Sequence, residues 1–331
     1  MALADTNAAN GKLLTTTPVL TMDDHLDHIR ARLGFNRNKH RVQPGLYALG
    51  KPNSESPVFV SANYTLSFDA LRSSLAGVDS YILVLDTRGI NVWCAAGKGT
   101  FGTAEIIHRV SKTRLADVVK HRKLIVPQLG APGVSASEVK RETGFTVEFG
   151  PVRAADLPEY LKTHKTTPEM RRVRFTLNDR LVLVPVEITL LLQTFVMAAL
   201  AFYFLGGIKS VLAVFTVLLV STVLFPILLP WLPTADFSSK GFILGFLAAV
   251  PFAVSSFLQN PDWSWYRQIG QALGFILSMS SMIAFLTLNF TGSTTFTSRT
   301  GVRQEINTYI PFMAWTFAIG LILTILVIVI R

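Results

Sequence analysis

Cys94 is the side chain in this sequence best suited to soft-metal chemistry. It is the only cysteine among 331 residues, and glycines follow it at Gly97 and Gly99. A thiolate is a strong ligand for a soft metal ion, and glycine lets a bulky group approach the backbone closely. A buried apolar cysteine in an ordinary strand–helix turn would give the same pattern. Position alone therefore leaves a ligand role and a packing role open.

Several other kinds of site are excluded by the same residues. One cysteine cannot form an internal disulfide, a CxxC zinc site or a cysteine-ligated iron–sulfur cluster within these residues. The segment Ala96–Thr100 resembles part of a phosphate-binding P-loop, but Val92 stands where that motif needs glycine. Gly99 likewise stands where the motif needs serine or threonine. We therefore do not expect nucleotide hydrolysis.

A second cluster of polar side chains lies near the start of the chain. It consists of Asp23, Asp24, His25, Asp27 and His28. Carboxylates and imidazoles together can ligate a metal ion. Such groups lie more often on a solvated turn of a surface helix, and the sequence favours that interpretation.

The positions of these residues follow from an alternation of strand-like and helix-like segments. Such alternation predicts an α/β layer with a largely parallel sheet, in which ligands bind beyond the carboxyl ends of the strands. Cys94 and the loop 128–133 both follow predicted strands, so both are expected at that edge. The predicted strands are 58–60, 81–85, 124–126 and 146–149, and the predicted helices are 66–75, 103–119, 135–143 and 155–161.

The second half of the chain is apolar and contains few charged residues. Five segments are each close to the roughly 20 residues that cross a bilayer as a helix. We therefore predict a polar N-terminal segment at 1–44, an α/β domain at 45–165, a basic linker at 166–184 and an all-α transmembrane domain at 185–331. The five predicted spans are about 185–206, 210–232, 241–259, 269–289 and 309–330.

Charge distribution suggests how the chain is oriented. The net charge is +10, but the basic residues are dispersed and no recognition motif accompanies them, so we expect no nucleic-acid partner. Basic residues before the first span favour a cytoplasmic N-terminal domain on a multi-pass protein of the inner (cytoplasmic) membrane. The spans carry almost no ionisable side chains, which favours an anchor over a transporter. A transporter or receptor with a soluble regulatory domain remains the alternative.

Four segments of the first half resemble a known family. The run Asn91–Lys98 is similar to the signature of the corrinoid protein of microbial mercury methylation, the HgcA family. Further similarity lies in Glu55–Tyr64, Leu66–Asp69 and Pro127–Gly133, and the order of a soluble half and a membrane half also fits. Within the second segment, Ser61 stands where the family is expected to have threonine.

The resemblance implies a Rossmann-like domain, related to the corrinoid iron–sulfur proteins, that binds cobalamin or a related cobamide. It implies that Cys94 is the lower axial ligand of the cobalt. The pattern Asp-x-His-x-x-Gly, in which a protein histidine usually ligates corrinoid cobalt, is absent, which counts against an ordinary cobalamin-dependent mutase or methyltransferase module and is compatible with a cysteine ligand. The residues expected to contact the cofactor are Ser61, Asn91, Val92, Trp93, Cys94, Ala95, Ala96, Gly97, Lys98, Gly99, Gln128, Leu129, Gly130, Pro132 and Gly133.

The same resemblance implies an enzymatic activity, corrinoid-dependent methyl transfer. A methyltetrahydrofolate-linked donor system would supply the methyl group, which passes from methyl-Co(III) cobamide to Hg(II) and gives methylmercury. Alternatives are a corrinoid methyl carrier for one-carbon metabolism, or methyl transfer to another soft metal. No residue of the sequence distinguishes these acceptors.

A protein partner follows from the cysteine count. If Cys94 binds cobalt, no thiol remains to capture Hg(II), and these residues hold no cluster that could deliver electrons. A cysteine-rich [4Fe-4S] ferredoxin-like protein of the HgcB type would supply thiols for Hg(II) and a cluster for electrons. The resemblance implies such a partner.

Overall fold

A computed structural model describes residues 13–36, 39–294 and 299–329. The chain divides into two compact units. The first comprises the residues up to 31 together with 35–173, and the second comprises 32–34 and 174–331. The prediction of a mostly parallel α/β sheet followed by an all-helical region is confirmed.

The first unit is built on one six-stranded sheet in the order β1-β2-β4-β3-β5-β6. Strands β3 to β6 run parallel, whereas β2 is antiparallel to β4 and β1 is parallel to β2. The strands are β1 Leu13–Thr16, β2 Gly45–Leu49, β3 Val58–Ala62, β4 Ser80–Leu85, β5 Lys123–Val126 and β6 Thr146–Phe149. The helices are α1 Met22–Arg32, α2 Thr65–Ser74, α3 Val92–Lys98, α4 Thr103–Lys112, α5 Leu115–Val118, α6 Ala136–Thr143 and α7 Leu157–Thr163.

Both faces of the sheet are covered, because its strands are apolar on both sides. Leu83 of β4 packs in a core with Ile106 of α4 and Val139 of α6. Its neighbour Ile82 points the other way, into a core with Phe68 of α2. A strand that is buried on both faces reads as a continuous apolar run, which is why the sequence reveals these parallel strands.

The N-terminal elements belong to this unit as well. Strand β1 pairs with β2 at one edge of the sheet, and α1 is joined to α2 by charged side chains. Asp69 of α2 contacts Nε2 of His28 at 2.7 Å and Nε of Arg72 at 2.6 Å, and Arg72 also contacts Asp24 of α1 at 2.8 Å. The sequence analysis separated residues 1–44 from the α/β domain, because the polar composition of 13–36 and 39–44 hid their contacts with it; residues 1–12, 37 and 38 lie outside the described residues.

Two local differences from the sequence analysis concern helices. The predicted helix 103–119 is two helices, α4 and α5, since Arg114 takes a left-handed backbone conformation with φ of 50° between them. Cys94 lies in the short helix α3 rather than in a glycine-rich loop. The small residues around it suggested a loop, but Asn91 and Gly99 cap this segment as a helix.

The loop after β5, Gln128–Gly133, forms a 3-10 helix that we call the rim loop. It packs backbone to backbone against α3 and the residues that follow it. A Cβ built on Gly133 would lie 3.2 Å from Cα of Ala96, and closer still to the carbonyl oxygen of Phe101. A Cβ on Gly102 would lie 3.0 Å from the carbonyl oxygen of Gly99. Only glycine fits these positions without displacing the backbone.

The second unit contains five helical segments that are long and apolar enough to cross a membrane, counted over the described residues. They are Leu177–Phe204, Gly206–Trp231, Phe237–Leu258, Trp265–Gly292 and Thr300–Val329. The corresponding elements are α8 Leu177–Leu181, α9 Val184–Leu219, α10 Phe225–Leu228, α11 Phe237–Leu258, α12 Trp265–Asn289 and α13 Arg299–Val329, with α9 broken at Gly206 and Gly207.

Small residues bring the last three helices of this bundle together. A Cβ on Gly245 of α11 would lie 2.5 Å from Cα of Ser280 in α12, so the two backbones are in close contact. Ser281 of α12 and Thr316 of α13 share a hydrogen bond of 2.5 Å. Close approach at small residues and interhelical hydrogen bonds are the usual means of packing helices in a bilayer.

Replacing Gly133 with alanine should loosen the contact between the rim loop and α3. Overpacking of this kind costs about 1–3 kcal/mol. Hydrogen–deuterium exchange on the full chain should show faster exchange in α3 and the rim loop.

Gly144→Ala is the matched control, because Gly144 has φ of 75° and open space around it. This substitution should cost about 1–2 kcal/mol of stability, because alanine disfavours the left-handed backbone conformation. Its effect on exchange should be confined to the α6–β6 turn. Equal acceleration of α3 exchange in both variants would contradict the proposed contact.

Acid should release α1 through Asp24. Burial disfavours its ionised form, but hydrogen bonds from Thr21 and Arg72 outweigh burial and hold the pKa of Asp24 below its ordinary value. Ionised Asp24 therefore stabilises docked α1 above the unfolded-state pKa of about 3.9, and this contribution disappears as the pH falls through the lower folded-state pKa.

The test compares exchange protection of α1 in the wild type and in Asp24→Asn. The difference between them should be present at neutral pH and vanish in acid. A difference that is independent of pH would show that the carboxylate charge does not hold the helix.

Candidate functional site

The carboxyl ends of β3, β4 and β5 lie at one edge of the sheet, because these three strands are parallel. The chain leaves β3 toward α2, which covers one face, and leaves β4 and β5 toward α3, α4 and α6 on the other. A crevice forms in α/β sheets where successive connections diverge in this way. Helix α3 and the rim loop border this edge.

Helix α3 is fixed at both ends by its own sequence. The side-chain oxygen Oδ1 of Asn91 accepts a hydrogen bond of 2.9 Å from the backbone N–H of Cys94. At the other end Gly99, with φ of 82°, donates its N–H to Ala95 and Ala96 carbonyls. An N-cap asparagine and a left-handed glycine are the caps that stabilise helix ends best, so they define where Cys94 stands.

The two sides of α3 have different roles. Val92, Ala95 and Ala96 are buried and pack in the core with the strands. Trp93 and Cys94 are half-buried on the outer side. Residues three and four positions apart lie on the same face of a helix, so Gly97 is next to both Trp93 and Cys94 on the outer side. Because glycine has no Cβ, the backbone is uncovered at this position. The outer side of α3 therefore presents an indole, a thiol and bare backbone.

The rim loop supplies the neighbouring surface. Pro132 is exposed, Gln128 and Leu129 are half-buried, and Gly130 is buried against the ring of Phe101. The backbone N–H of Ser135 donates to Oγ1 of Thr103 at 2.8 Å, which ties the end of this loop to the start of α4. The structure thus brings the residues predicted from the 91–99 and 128–133 segments together.

Ser61 is placed apart from these residues. It is 2% exposed in β3, and its hydroxyl donates to the carbonyl of Ala62 at 3.2 Å. Its strand neighbours Val60 and Ala62 face the α3 side, so Ser61 faces the opposite side of the sheet. Val92, Ala95 and Ala96 are core residues, so their predicted contacts with a cofactor would be limited to backbone.

A positioning residue that the sequence analysis missed is Asn63, which follows β3 and is 1% exposed. Its Oδ1 accepts hydrogen bonds from the N–H of Thr87, the hydroxyl of Thr87 and the N–H of Gly89, at 3.0, 2.9 and 2.9 Å. These bonds order the turn that leads into α3. The signal available in the sequence was a polar residue directly after an apolar strand.

The residues at this edge fit a bulky group with polar substituents and a soft metal. Two polar atoms here are buried without a hydrogen-bond partner, Oγ1 of Thr100 and Oε1 of Gln128. Buried acceptors of this kind normally have a partner, and the amide groups around a corrin ring would supply donors. Cys94 is the soft donor beside them.

A metal site made of protein side chains alone is not found. No group of three His, Cys, Asp or Glu residues comes together within residues 13–36, 39–294 and 299–329. Of the early Asp/His cluster, Asp24 pairs with Arg72, His28 with Asp69, and Asp27 with His40. That cluster therefore joins elements of the fold.

Comparison with known families agrees with this arrangement. Residues 34–161 match the family described as CO dehydrogenase/acetyl-CoA synthase delta subunit. The match includes α3 and the rim loop and ends before the second unit. It covers less than half of the chain, so it describes this domain and leaves the helical bundle without assignment.

Curated relatives are similar to a comparable length of this chain. The acetyl-CoA decarbonylase/synthase complex subunit gamma of Methanopyrus kandleri is 34% identical over 128 residues, covering 38% of this chain and 27% of that protein. The corresponding subunit of Archaeoglobus fulgidus is 30% identical over 149 residues, covering 43% and 31%. The corrinoid/iron-sulfur protein large subunit of Moorella thermoacetica is 27% identical over 155 residues, covering 44% and 34%.

The chain spans about a third or less of the length of these relatives. The family match spans β2 to β6 and α2 to α6 of this chain, including Cys94. Residues 34–161 are therefore similar to the family described as CO dehydrogenase/acetyl-CoA synthase delta subunit, to the gamma subunits of acetyl-CoA decarbonylase/synthase complexes and to a corrinoid/iron-sulfur protein large subunit.

Proposed function

We propose that this protein is a membrane-anchored, corrinoid-dependent methyltransferase in which Cys94 is the lower axial ligand of cobalt and Hg(II) is the methyl acceptor. The observation that carries the proposal is the position of Cys94. It is the only thiol of the chain, and it lies half-buried on the outer side of a capped helix in a domain related to corrinoid proteins.

The residues at this edge have separate tasks in the proposal. Cys94 would hold cobalt as a thiolate, the form in which cysteine binds metals. Trp93 offers an apolar surface to the macrocycle, and Gly97 leaves room for it. Thr100 and Gln128 would accept hydrogen bonds from its amides, which would satisfy their buried oxygens.

A bound cobamide would supply the methyl-transfer chemistry, and the Cys94 thiolate would hold its cobalt and donate electron density to it. Among the residues that hold it, Asn91 and Gly99 keep the sulfur in place by capping α3. The contact between the rim loop and Ala96 keeps α3 itself in place. The chain's own contribution is therefore to position one sulfur atom.

Two observations support Hg(II) as acceptor and a second protein as partner. The Asn91–Lys98 run is similar to the signature of mercury-methylating corrinoid proteins. With one cysteine, these residues offer no second thiol for mercury and no iron–sulfur cluster for electrons. A cysteine-rich [4Fe-4S] ferredoxin-like protein would bring both.

A second candidate is a corrinoid methyl carrier of one-carbon metabolism. It is favoured by the relatives, which are named as subunits of acetyl-CoA decarbonylase/synthase complexes. In that case methyl transfer would proceed with an acceptor from such a complex and not with Hg(II). The two candidates share the cofactor and Cys94. They are therefore separated by testing whether Hg(II) or an acceptor from such a complex receives the methyl group.

Cys94→Ala should leave the fold intact but remove the cobalt ligand. Loss of an outer partner of a metal site costs 10–100-fold, so loss of the ligand itself should lower methyl transfer to Hg(II) by more than about 100-fold. The cobamide-loaded full chain is assayed anaerobically for methylmercury, and its visible spectrum should shift.

Trp93→Phe is the matched control on the same exposed side of α3, because it keeps an aromatic ring and the thiol. Its spectrum should remain that of the wild type. Full activity and an unchanged spectrum in Cys94→Ala would show that the thiol only packs. A chain purified anaerobically that never binds cobamide would instead support the transporter or receptor alternative.

Multiple turnover should require a second protein. With cobamide, a methyl donor and a chemical reductant, the purified chain should complete few cycles, since no thiol is left to deliver Hg(II). Adding a cysteine-rich ferredoxin-like protein should raise the number of cycles. Sustained turnover with the reductant alone would remove the need for that partner.

A further inference from the structure

Helix α1 has its polar side facing the domain. Ala31 is buried, and Asp24, Asp27 and His28 contact Arg72, His40 and Asp69 within the same unit. The partners are themselves buried, with Arg72 6% and Asp69 2% exposed. An ordinary surface helix buries its apolar stripe, whereas α1 turns Asp24, Asp27 and His28 toward the domain and leaves Asp23, His25, Arg30 and Arg32 exposed.

The outer side of α1 is apolar. Met22, Leu26 and Ile29 are 73%, 42% and 53% exposed. Their spacing of four and three residues places them in one stripe along the helix. The positions 30 and 32 flank the stripe on either side, and Arg30 and Arg32 are both exposed there. The stripe is therefore an exposed apolar strip with a cation along each edge.

We propose that this outer side of α1 lies on the surface of the lipid bilayer, with Met22, Leu26 and Ile29 inserted among the headgroups. Apolar residues flanked by arginine are typical of helices that lie in the membrane interface. Arginine stems extend along the apolar surface while the guanidinium reaches the phosphates. Exposed Lys39 and Arg41 extend the same positive charge beyond the helix.

The rest of the chain favours a lipid bilayer over a protein as the surface that covers the apolar stripe of α1. Five helices that are apolar enough to cross a membrane belong to the same polypeptide as α1, and the inference rests on the membrane anchoring proposed above, which would bring a lipid surface within reach of this domain. Anionic headgroups complement the four exposed cations named above. The family match begins at residue 34, so α1 precedes the domain that the relatives share.

The test measures the depth of a spin label on the full chain in bilayers. The label is attached to Ile29→Cys in a Cys94→Ser background, and the bilayer contains phosphatidylcholine and phosphatidylglycerol in equal parts. The label at Ile29 should lie about 5–10 Å below the headgroup surface, shielded from a water-soluble relaxation agent and accessible to oxygen.

Lys140→Cys, an exposed position on α6, provides the matched control and should remain fully accessible to the water-soluble agent. Adding Leu26→Glu should return the Ile29 label to water, since a carboxylate in the stripe opposes insertion. Leu26 is exposed, so this change leaves the cores of the domain intact.

Replacing Arg30 and Arg32 with glutamine tests the role of the headgroups. Each lost cation should shift the population of inserted label about fivefold in anionic bilayers. It should have little effect in pure phosphatidylcholine. An unchanged population in the anionic bilayer would show that headgroup charge plays no part.

Two results would overturn the proposal. One is an Ile29 label as accessible to the water-soluble agent as the Lys140 label, which would mean that the stripe faces water. The other is strong dipolar coupling between Ile29 labels with both relaxation agents excluded, which would mean that a second copy of this chain covers the stripe.

Discussion

The backbone contact between α3 and the rim loop is the constraint on which the edge of the sheet depends. Gly133 meets Ala96 and Phe101 with no space for a Cβ, and Gly130 meets the ring of Phe101 in the same way. Because Gly133 meets backbone atoms of Ala96 and Phe101, a rotamer change cannot relieve that part of the contact. The ends of β4 and β5, from which the two segments start, therefore determine where the Cys94 sulfur lies.

Much of the fold could be predicted from the sequence, because the strands that matter are buried on both faces. Val58–Val60 and Tyr81–Leu85 read as continuous apolar runs, and each is part of a strand. The five helices that are apolar enough to cross a membrane were equally clear from length and composition. The segments 91–99 and 128–133 could be assigned to the same end of the sheet because both follow strands of one parallel sheet.

The remainder could not be predicted, for reasons that are local. Helix α3 depends on the caps Asn91 and Gly99, and a seven-residue segment rich in small residues shows no periodicity. Helix α1 depends on buried ion pairs, so its inward face looks like a solvated one. Asn63 acts through three hydrogen bonds to a turn 24 to 26 residues away, a pairing that only the folded chain creates.

The shortness of α3 links two properties that are usually measured separately. A helix of seven residues is unstable on its own in water, so α3 persists through its caps, its core residues and its contact with the rim loop. A group that binds its outer side in the helical form stabilises that form by mass action. Affinity for the group and helicity of α3 are then coupled thermodynamically, and a change that frays the helix weakens binding even where it touches no ligand.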